Sequence, residues 1–401
     1  MIHEGVVPAK SADMAGLRAT RAIIDLDAIA GNVRAMRGAL PAHTAIMAVV
    51  KADGYGHGAP WVAKAAVAAG ASALGVATVS EGETLRSHGL DVPIILLGAI
   101  DPSEVWAACE AGLEITVAEE TLLGAVQRAA LASRHGPVSV HLKVDTGLRR
   151  YGAAPEHALP LASRIAADGR MRLAGLFTHF ASADEPDEPF TAEQLRRFER
   201  TLEDLRGAGI ELSGVHAANS AGILLGRGTG FDMVRAGIAL YGVRPSADVS
   251  LFPSMRAALR LESRIARLIP LCAGDTVGYN RTFRVAEAMR GALVPIGYAD
   301  GYRRALSGTG WVGIGGRPCR VLGRVSMDQI VVEAPPDLAA AVGDVVHVLG
   351  GEPGCGAPST DELAATAGTN SYEILVGISS RVPRVFVRGG EIVAVRNAGM
   401  S

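Results

Sequence analysis

Cysteine is sparse in this 401-residue chain, and the four present, Cys109, Cys272, Cys319 and Cys355, are scattered, with no CxxC pair and no histidine at metal-ligand spacing. That scatter argues against a disulfide framework and against a zinc site. Neither sign of charge dominates: 39 Lys and Arg stand against 41 Asp and Glu, a net charge of −2. There is thus no electrostatic reason to expect nucleic acid or an anionic membrane as partner. Long unbroken apolar runs are also missing. The most apolar long window, Trp61 to Val79, carries Lys64 and is interrupted by Gly70 and Gly75, and reads as a short helix running into a buried strand instead of a membrane span. The opening MIHEGVVPAKSADMAGLRATR lacks the apolar core of a secretory signal. Residues 1–20 are therefore expected to be a loose extension, and the protein a cytoplasmic enzyme acting on a small molecule. Aromatics are few as well, with eight Phe, three Trp and seven Tyr.

Glycine is abundant, at 49 residues, in a chain that is 49 % hydrophobic and 20 % charged. Such a composition buries a sizeable core and excludes a disordered chain. The glycines then mark tight loops, where the backbone takes positive φ or comes close to a ligand.

Short apolar runs bounded by turn residues recur at Ile46–Val50, Ala73–Ala77, Ile94–Leu97, Glu114–Val117, Val138–Val144, Ala174–Thr178, Gly214–Ala217 and Met233–Gly237. Helical stretches separate them, such as Thr191–Leu205 with Leu195, Phe198, Leu202 and Leu205 on one face. Eight buried strands alternating with helices predict an α/β fold, a (β/α)8 TIM barrel, in preference to an open doubly wound sheet. A ninth run, Ala22–Leu26, exceeds the barrel count and is left to pair elsewhere. Beyond about residue 255 the pattern changes to closely spaced β segments: Leu261–Leu268, Gly291–Ile296, Cys319–Val325, Ile330–Glu333 and Val345–Leu349. These predict a mostly antiparallel β domain. The expected division is an extension over 1–20, a barrel over 21–254 and a β domain over 255–401.

The first barrel strand runs into VVKADGYGHG, which sets Lys51 at the C-terminal end of a buried strand, where barrel enzymes keep their active sites. A buried lysine with a lowered pKa forms Schiff bases and so can anchor pyridoxal phosphate. This segment resembles the cofactor-lysine signature of the alanine racemases, and the resemblance continues in order from about residue 21 to residue 385. It implies pyridoxal 5'-phosphate carried on Lys51, with Tyr55 as a further phosphate contact in the same loop. HLKVDTGLRRYG resembles the family segment with a lysine, often carbamylated, and an arginine near the cofactor's phenolic oxygen and the substrate; these are Lys143 and Arg150. LFTHFASADE supplies His179, HAANSAG supplies Asn219 and Ser220, and MVRAGIALYG supplies Arg235 and Gly237. The placement also has a physical basis, because barrel enzymes hold phosphate in the loops after strands seven and eight, where backbone N–H groups are free. Ser220 and Gly237 lie in those loops, although HAANSAG read alone fits an ordinary helix N-cap equally well.

The resemblance places Arg235 against the pyridine nitrogen. A cation there disfavours ring protonation and weakens the ring as an electron sink, which favours racemisation over transamination or decarboxylation. Racemisation needs a proton carrier on each face of the substrate. Lys51 is one, and DTVGYNRTF resembles the family's tyrosine segment, making Tyr279 the other, supplied from the neighbouring subunit of a head-to-tail homodimer. A free tyrosine, with a pKa near ~10, is a poor base, so Tyr279 is expected to be assisted through His179 or Arg235. PIGYADGYRR supplies Tyr298 at the entrance, RVSMDQ supplies the Met327 backbone for the substrate carboxylate, and TNSYEILVGISSRVPR supplies Tyr372 for the phosphate. Many relatives carry Cys where this chain has Ser326. The implied activity is interconversion of L- and D-alanine, which supplies D-alanine for peptidoglycan or degrades it. The alternatives are a racemase of the same family with a wider gate that accepts serine or lysine, a decarboxylase of the same fold, and a non-catalytic pyridoxal carrier built as a single barrel.

Overall fold

The computed structural model describes residues 16–132 and 136–397. It divides into two compact units. Strand β1 (Arg21–Asp25) is the ninth apolar run, and it belongs to the β unit. It lies antiparallel to Leu259–Arg264, with Ala22 opposite Leu261, and parallel to Arg384–Arg388, with Ala22 opposite Arg384. The barrel unit therefore begins after Ala28 and not at residue 21, and among the described residues the β unit comprises 16–28, the short segment Tyr55–Gly58, and 257–397.

The expected barrel is present. Strands β2 (Ala45–Val49), β3 (Ala73–Val76), β4 (Ile94–Leu96), β5 (Glu114–Val117), β6 (Val138–Lys143), β7 (Met171–Phe177), β8 (Val215–His216) and β9 (Met233–Ala236) pair in sequence as a closed ring. The ring closes where Met47 of β2 lies opposite Arg235 of β9. Strands buried on both faces need unbroken apolar runs, and Ile46–Val49, Ile94–Leu96 and Ile115–Val117 are each almost wholly buried. Inside the ring, a Cβ on Gly175 would lie 2.4 Å from both Gly214 O and His141 Nδ1, so glycine at this position makes room for the His141 imidazole. Outside the ring, the helix Phe190–Gly207 buries Phe198, Leu202 and Leu205, each contributing roughly 1.5–3 kcal/mol. The helix Ala59–Ala68 followed by β3 accounts for the most apolar window, and among the described residues no helix is long and apolar enough to cross a membrane.

The β unit holds a seven-stranded sheet in the order Arg317–Arg320, Trp311–Ile314, Val345–Leu349, Leu259–Arg264, β1, Arg384–Arg388, Glu391–Arg396, and a three-stranded sheet of Arg267–Leu271, Met289–Val294 and Ile330–Glu333. The run Leu261–Leu268, expected as one strand, is two. Ile265 N–H donates to Asp344 O beside one sheet and Ala266 N–H to Leu293 O in the other, so the chain changes sheets between neighbouring residues. Cys319–Val325 was expected as a strand to its end, but the strand stops at Arg320, and Gly323 turns with φ +72°. Residues 1–15 of the expected loose extension lie outside the described residues. Arg18 and Thr20, within the described residues, are tied down: Thr20 Oγ1 donates to Pro295 O at 2.6 Å, and Arg18 pairs with the buried Asp300.

Candidate active site

The chain leaves β2 through Lys51 into a left-handed turn. Ala52, Asp53, Gly54 and Tyr55 have φ of 51°, 53°, 63° and 52°. An L-residue in this region is disfavoured by roughly 1–2 kcal/mol, and only Gly54 escapes that strain. Two carboxylates hold the turn. Glu81 Oε1 accepts Ala52 N–H at 2.7 Å while its Oε2 accepts Ala77 N–H at 2.8 Å, and Asp53 Oδ1 accepts Ala59 N–H at 3.0 Å. Burial, reinforced by the Arg150 charge, holds the Lys51 pKa below that of an ordinary lysine, and the Glu81 carboxylate opposes this depression. The turn thus presents an amine that sheds its proton more readily than a solvated one.

Around it the barrel unit collects cations. Lys143, the last residue of β6, is buried, and burial followed by the charges of Arg235, Arg150 and Lys51 pushes its pKa down to about 7. Its ammonium sits 5.1 Å from the Tyr151 ring centroid and 5.3 Å from that of Phe177. Arg150 is exposed. Arg235 on β9 is almost fully buried, and burial brings its pKa down to about 9, which leaves it protonated at neutral pH. Arg235 Nη1 donates to His216 Nδ1 at 2.7 Å, and Nη2 donates to Thr178 O and Ala217 O, each at 2.8 Å, and to His179 Nδ1 at 3.2 Å. Both imidazoles therefore offer a lone pair at Nδ1 and carry their proton on Nε2. Burial and the Arg235 charge hold both well below the usual imidazole pKa, which keeps them neutral. His216 also stacks on Phe177 at 4.6 Å. Among the described residues no carboxylate reaches this guanidinium.

Asn219 caps the turn Ser220–Leu224 by accepting Gly222 N–H at 3.0 Å, so the plain N-cap reading of HAANSAG holds for this residue. Ser220 does something else. Its Oγ accepts Gly237 N–H at 2.9 Å and Ala239 N–H at 3.2 Å. The Gly237 N–H, expected to be free for an anion, is thus already engaged, and the hydroxyl that takes both N–H groups has its own proton left to donate.

The remaining expected residues belong to the β unit. Tyr55 is buried, which raises its pKa, and its ring lies 6.1 Å from that of Tyr372. Tyr298 and Met327 stand on adjoining loops, because Tyr298 N–H donates to Ser326 O at 3.0 Å and Ala299 N–H to Met327 O at 2.9 Å. Tyr279 and Met327 line one cavity of about 480 Å³ together with Val277, Arg324 and Gln329. Tyr279 is 69 % exposed, Met327 52 % and Tyr298 42 %.

Sequence reading passed over His216 and Glu81. His216 opens HAANSAG on the inward face of β8, and Thr78-x-x-Glu81 is a capping-box signature, which the helix Val79–Ser87 does use.

Residues 24–245 match the model of the alanine racemase N-terminal domain, and residues 258–386 that of the alanine racemase C-terminal domain. The chain belongs to the alanine racemase family. It is 44 % identical over 380 residues to the alanine racemase of Symbiobacterium thermophilum, covering 94 % of this chain and 99 % of that one. The alanine racemase from Streptomyces coelicolor A3(2), a solved structure, superposes with a TM-score of 0.88 at 40 % identity over 94 % of this chain and all of that one. A family member from Bartonella henselae, solved with covalently bound pyridoxal phosphate, superposes with a TM-score of 0.82 at 28 % identity over 92 % of this chain and 99 % of its own.

Proposed function

We propose that this chain racemises alanine, interconverting the L and D enantiomers with pyridoxal 5'-phosphate held on Lys51. Its donor set fits that cofactor. Lys51 supplies an amine whose proton burial has loosened, the Ser220 hydroxyl has a proton to offer a phosphate, and Arg235 supplies a cationic donor. Tyr55 and Tyr372, whose rings adjoin, would add phenol donors to the same phosphate. When bound, the cofactor acidifies the substrate's α C–H by drawing its electrons toward the pyridine ring.

The observation that carries the reading is the buried Arg235, whose partners are two neutral imidazoles and carbonyl oxygens. A carboxylate at a pyridine nitrogen would stabilise its protonation, whereas a cation opposes it. A weakened electron sink would favour return of the proton to the α-carbon over the breaking of other bonds. Lys51 Nζ and Tyr279 Oη carry that proton on opposite faces of the substrate, while Arg150 and the Met327 backbone hold the carboxylate. His179, neutral with its proton on Nε2 and tied to Arg235 through Nδ1, is the group best suited to assist Tyr279. Exposure of Tyr279, Tyr298 and Met327 on the β unit supports a homodimer in which each subunit completes the other's site.

The deciding experiment measures D-alanine formed from L-alanine with and without added pyridoxal phosphate. Turnover should depend on the cofactor. If kcat/KM for serine or lysine equalled that for alanine, the assignment of substrate would be wrong.

A further inference from the structure

The Asp300 carboxylate is fully buried, and its bonds reach well beyond its own loop. Arg18, from the segment before β1, grips it with both terminal nitrogens, Nη2 meeting Oδ2 at 2.8 Å, and the same Nη2 donates to Pro295 O at 3.0 Å. Arg381 Nε lies 3.0 Å from Oδ1, and its Nη2 donates to Asp328 Oδ1 at 2.8 Å. Gly297 N–H donates to Oδ2 at 3.0 Å, and Ser379 N–H donates to the Asp300 carbonyl at 3.1 Å.

Three segments are thus tied together through Asp300 and Arg381, and each carries a residue assigned above to the substrate or to the phosphate. The turn Tyr298–Asp300 carries Tyr298, the residues joined through Asp328 carry Met327, and the stretch reached through Ser379 and Arg381 follows the helix Ser371–Val376, which carries Tyr372. The segments touch backbone to backbone. A Cβ on Gly297 would lie 2.3 Å from Met327 O, and one on Gly301 would lie 2.4 Å from Gly377 O. Arg303 adds a bond from Nη2 to Glu373 O at 2.8 Å. Loops packed this closely move together or not at all.

We infer that Arg18, Asp300 and Arg381 form an ionic clamp that fixes Tyr298 and Met327, the pair this subunit lends to its partner's site, against the segment that carries Tyr372, and that Arg18 is a positioning residue for substrate selectivity. The inference rests on the assignment of Tyr298 and Met327 to the substrate entrance. A buried carboxylate that loses one of two cations draws harder on the other. Without Arg18, Arg381 is pulled toward Asp300 at the expense of Asp328, and the loop that carries Met327 is released. An entrance narrowed by Tyr298 then excludes bulk less strictly and discriminates less.

The test compares the wild-type holoenzyme with Arg18→Ala and Arg18→Lys. In Arg18→Ala, the ratio of kcat/KM for alanine to that for serine should fall about tenfold, and lysine, which offers one point charge where arginine offers a fork, should restore only part of it. A ratio within twofold of wild type overturns the clamp, even where the melting temperature drops. Hydrogen exchange on the same proteins judges the clamp without turnover. Amides of 297–302, 326–328 and 371–379 should all lose protection in Arg18→Ala, whereas loss confined to residues around Arg18 and Pro295 refutes the coupling. Absence of alanine turnover in the wild type, with coupled exchange intact, would instead overturn the functional reading alone.

Discussion

Glu81→Gln offers a strict test of how the Lys51 turn is held. Ala52, Asp53 and Tyr55 are all left-handed without being glycine, so the turn stores roughly 3–6 kcal/mol of backbone strain at about 1–2 kcal/mol each. Against this stand the bonds from Ala52 N–H to Glu81 Oε1 at 2.7 Å and from Ala59 N–H to Asp53 Oδ1 at 3.0 Å. Glutamine has a single side-chain carbonyl oxygen, and Glu81 uses both of its oxygens, the second on Ala77 N–H at 2.8 Å and Thr78 N–H at 3.3 Å. Keeping the two bonds to Ala77 and Thr78 turns the amide nitrogen toward Ala52 N–H, where donor meets donor, and one charge-assisted bond of about 2–3 kcal/mol is lost. At about 1.4 kcal/mol per factor of ten, protection of amides 52–54 from hydrogen exchange should fall roughly 30- to 140-fold. Activity should fall mainly through kcat, because Lys51 loses its aim. Loss of the carboxylate that opposes the depressed Lys51 pKa should also move the acidic limb of the kcat profile, which reports Lys51 once substrate has freed its amine, to lower pH. Glu81→Asp, which keeps the charge, should retain that limb. Unchanged exchange at 52–54 in Glu81→Gln would show that the strain is balanced elsewhere and would refute the argument.

Four other outcomes are expected. Lys51→Ala should lose the visible absorbance of the bound cofactor together with racemisation, and a borohydride-reducible chromophore that survives would point to another lysine. Tyr279→Phe should keep the cofactor while racemisation collapses, and deuterium from solvent should then enter the α-position from one face only; undiminished racemisation would remove Tyr279 as a base. Lys143 titrates at about 7 in the folded chain against 10.5 when unperturbed. Between those values the folded state binds fewer protons than the unfolded one, so stability rises with pH, by at most about 1.4 kcal/mol per unit. Urea melts from pH 7 to 9 should show a shallower rise in Lys143→Met than in wild type. The largely neutral amine should also take up carbon dioxide as a carbamate, visible as a 13C resonance from labelled bicarbonate that Lys143→Met lacks.

The barrel could be read from sequence because a parallel strand covered on both faces has no choice but to be apolar throughout, and each of the eight runs announces itself alone. Strand β1 has the same local signature as those runs. Its destination depends on partners at residues 259–262 and 384–387, and no local pattern reports pairing at that separation. The break at Ile265 escapes for the same reason: both halves of the run are apolar, and the change of sheet is decided by Asp344 and Leu293. In the site, chemistry readable residue by residue was found, a lysine at a strand end and an arginine on the last strand. Arrangements set by competition for hydrogen bonds were not. Glycine at 54 and 56 signals a tight turn, but Ala52, Asp53 and Tyr55 share its conformation, with Glu81 accepting the Ala52 N–H and Asp53 the first N–H of the helix that follows. Ser220 follows the same logic. Gly237 would have a free N–H if the loop were considered alone, and once Ser220 Oγ accepts it, the donor presented to an anion becomes a hydroxyl. The cations of this site are thus spelled out by single residues, while the orientation of its donors belongs to pairs of residues far apart in the chain.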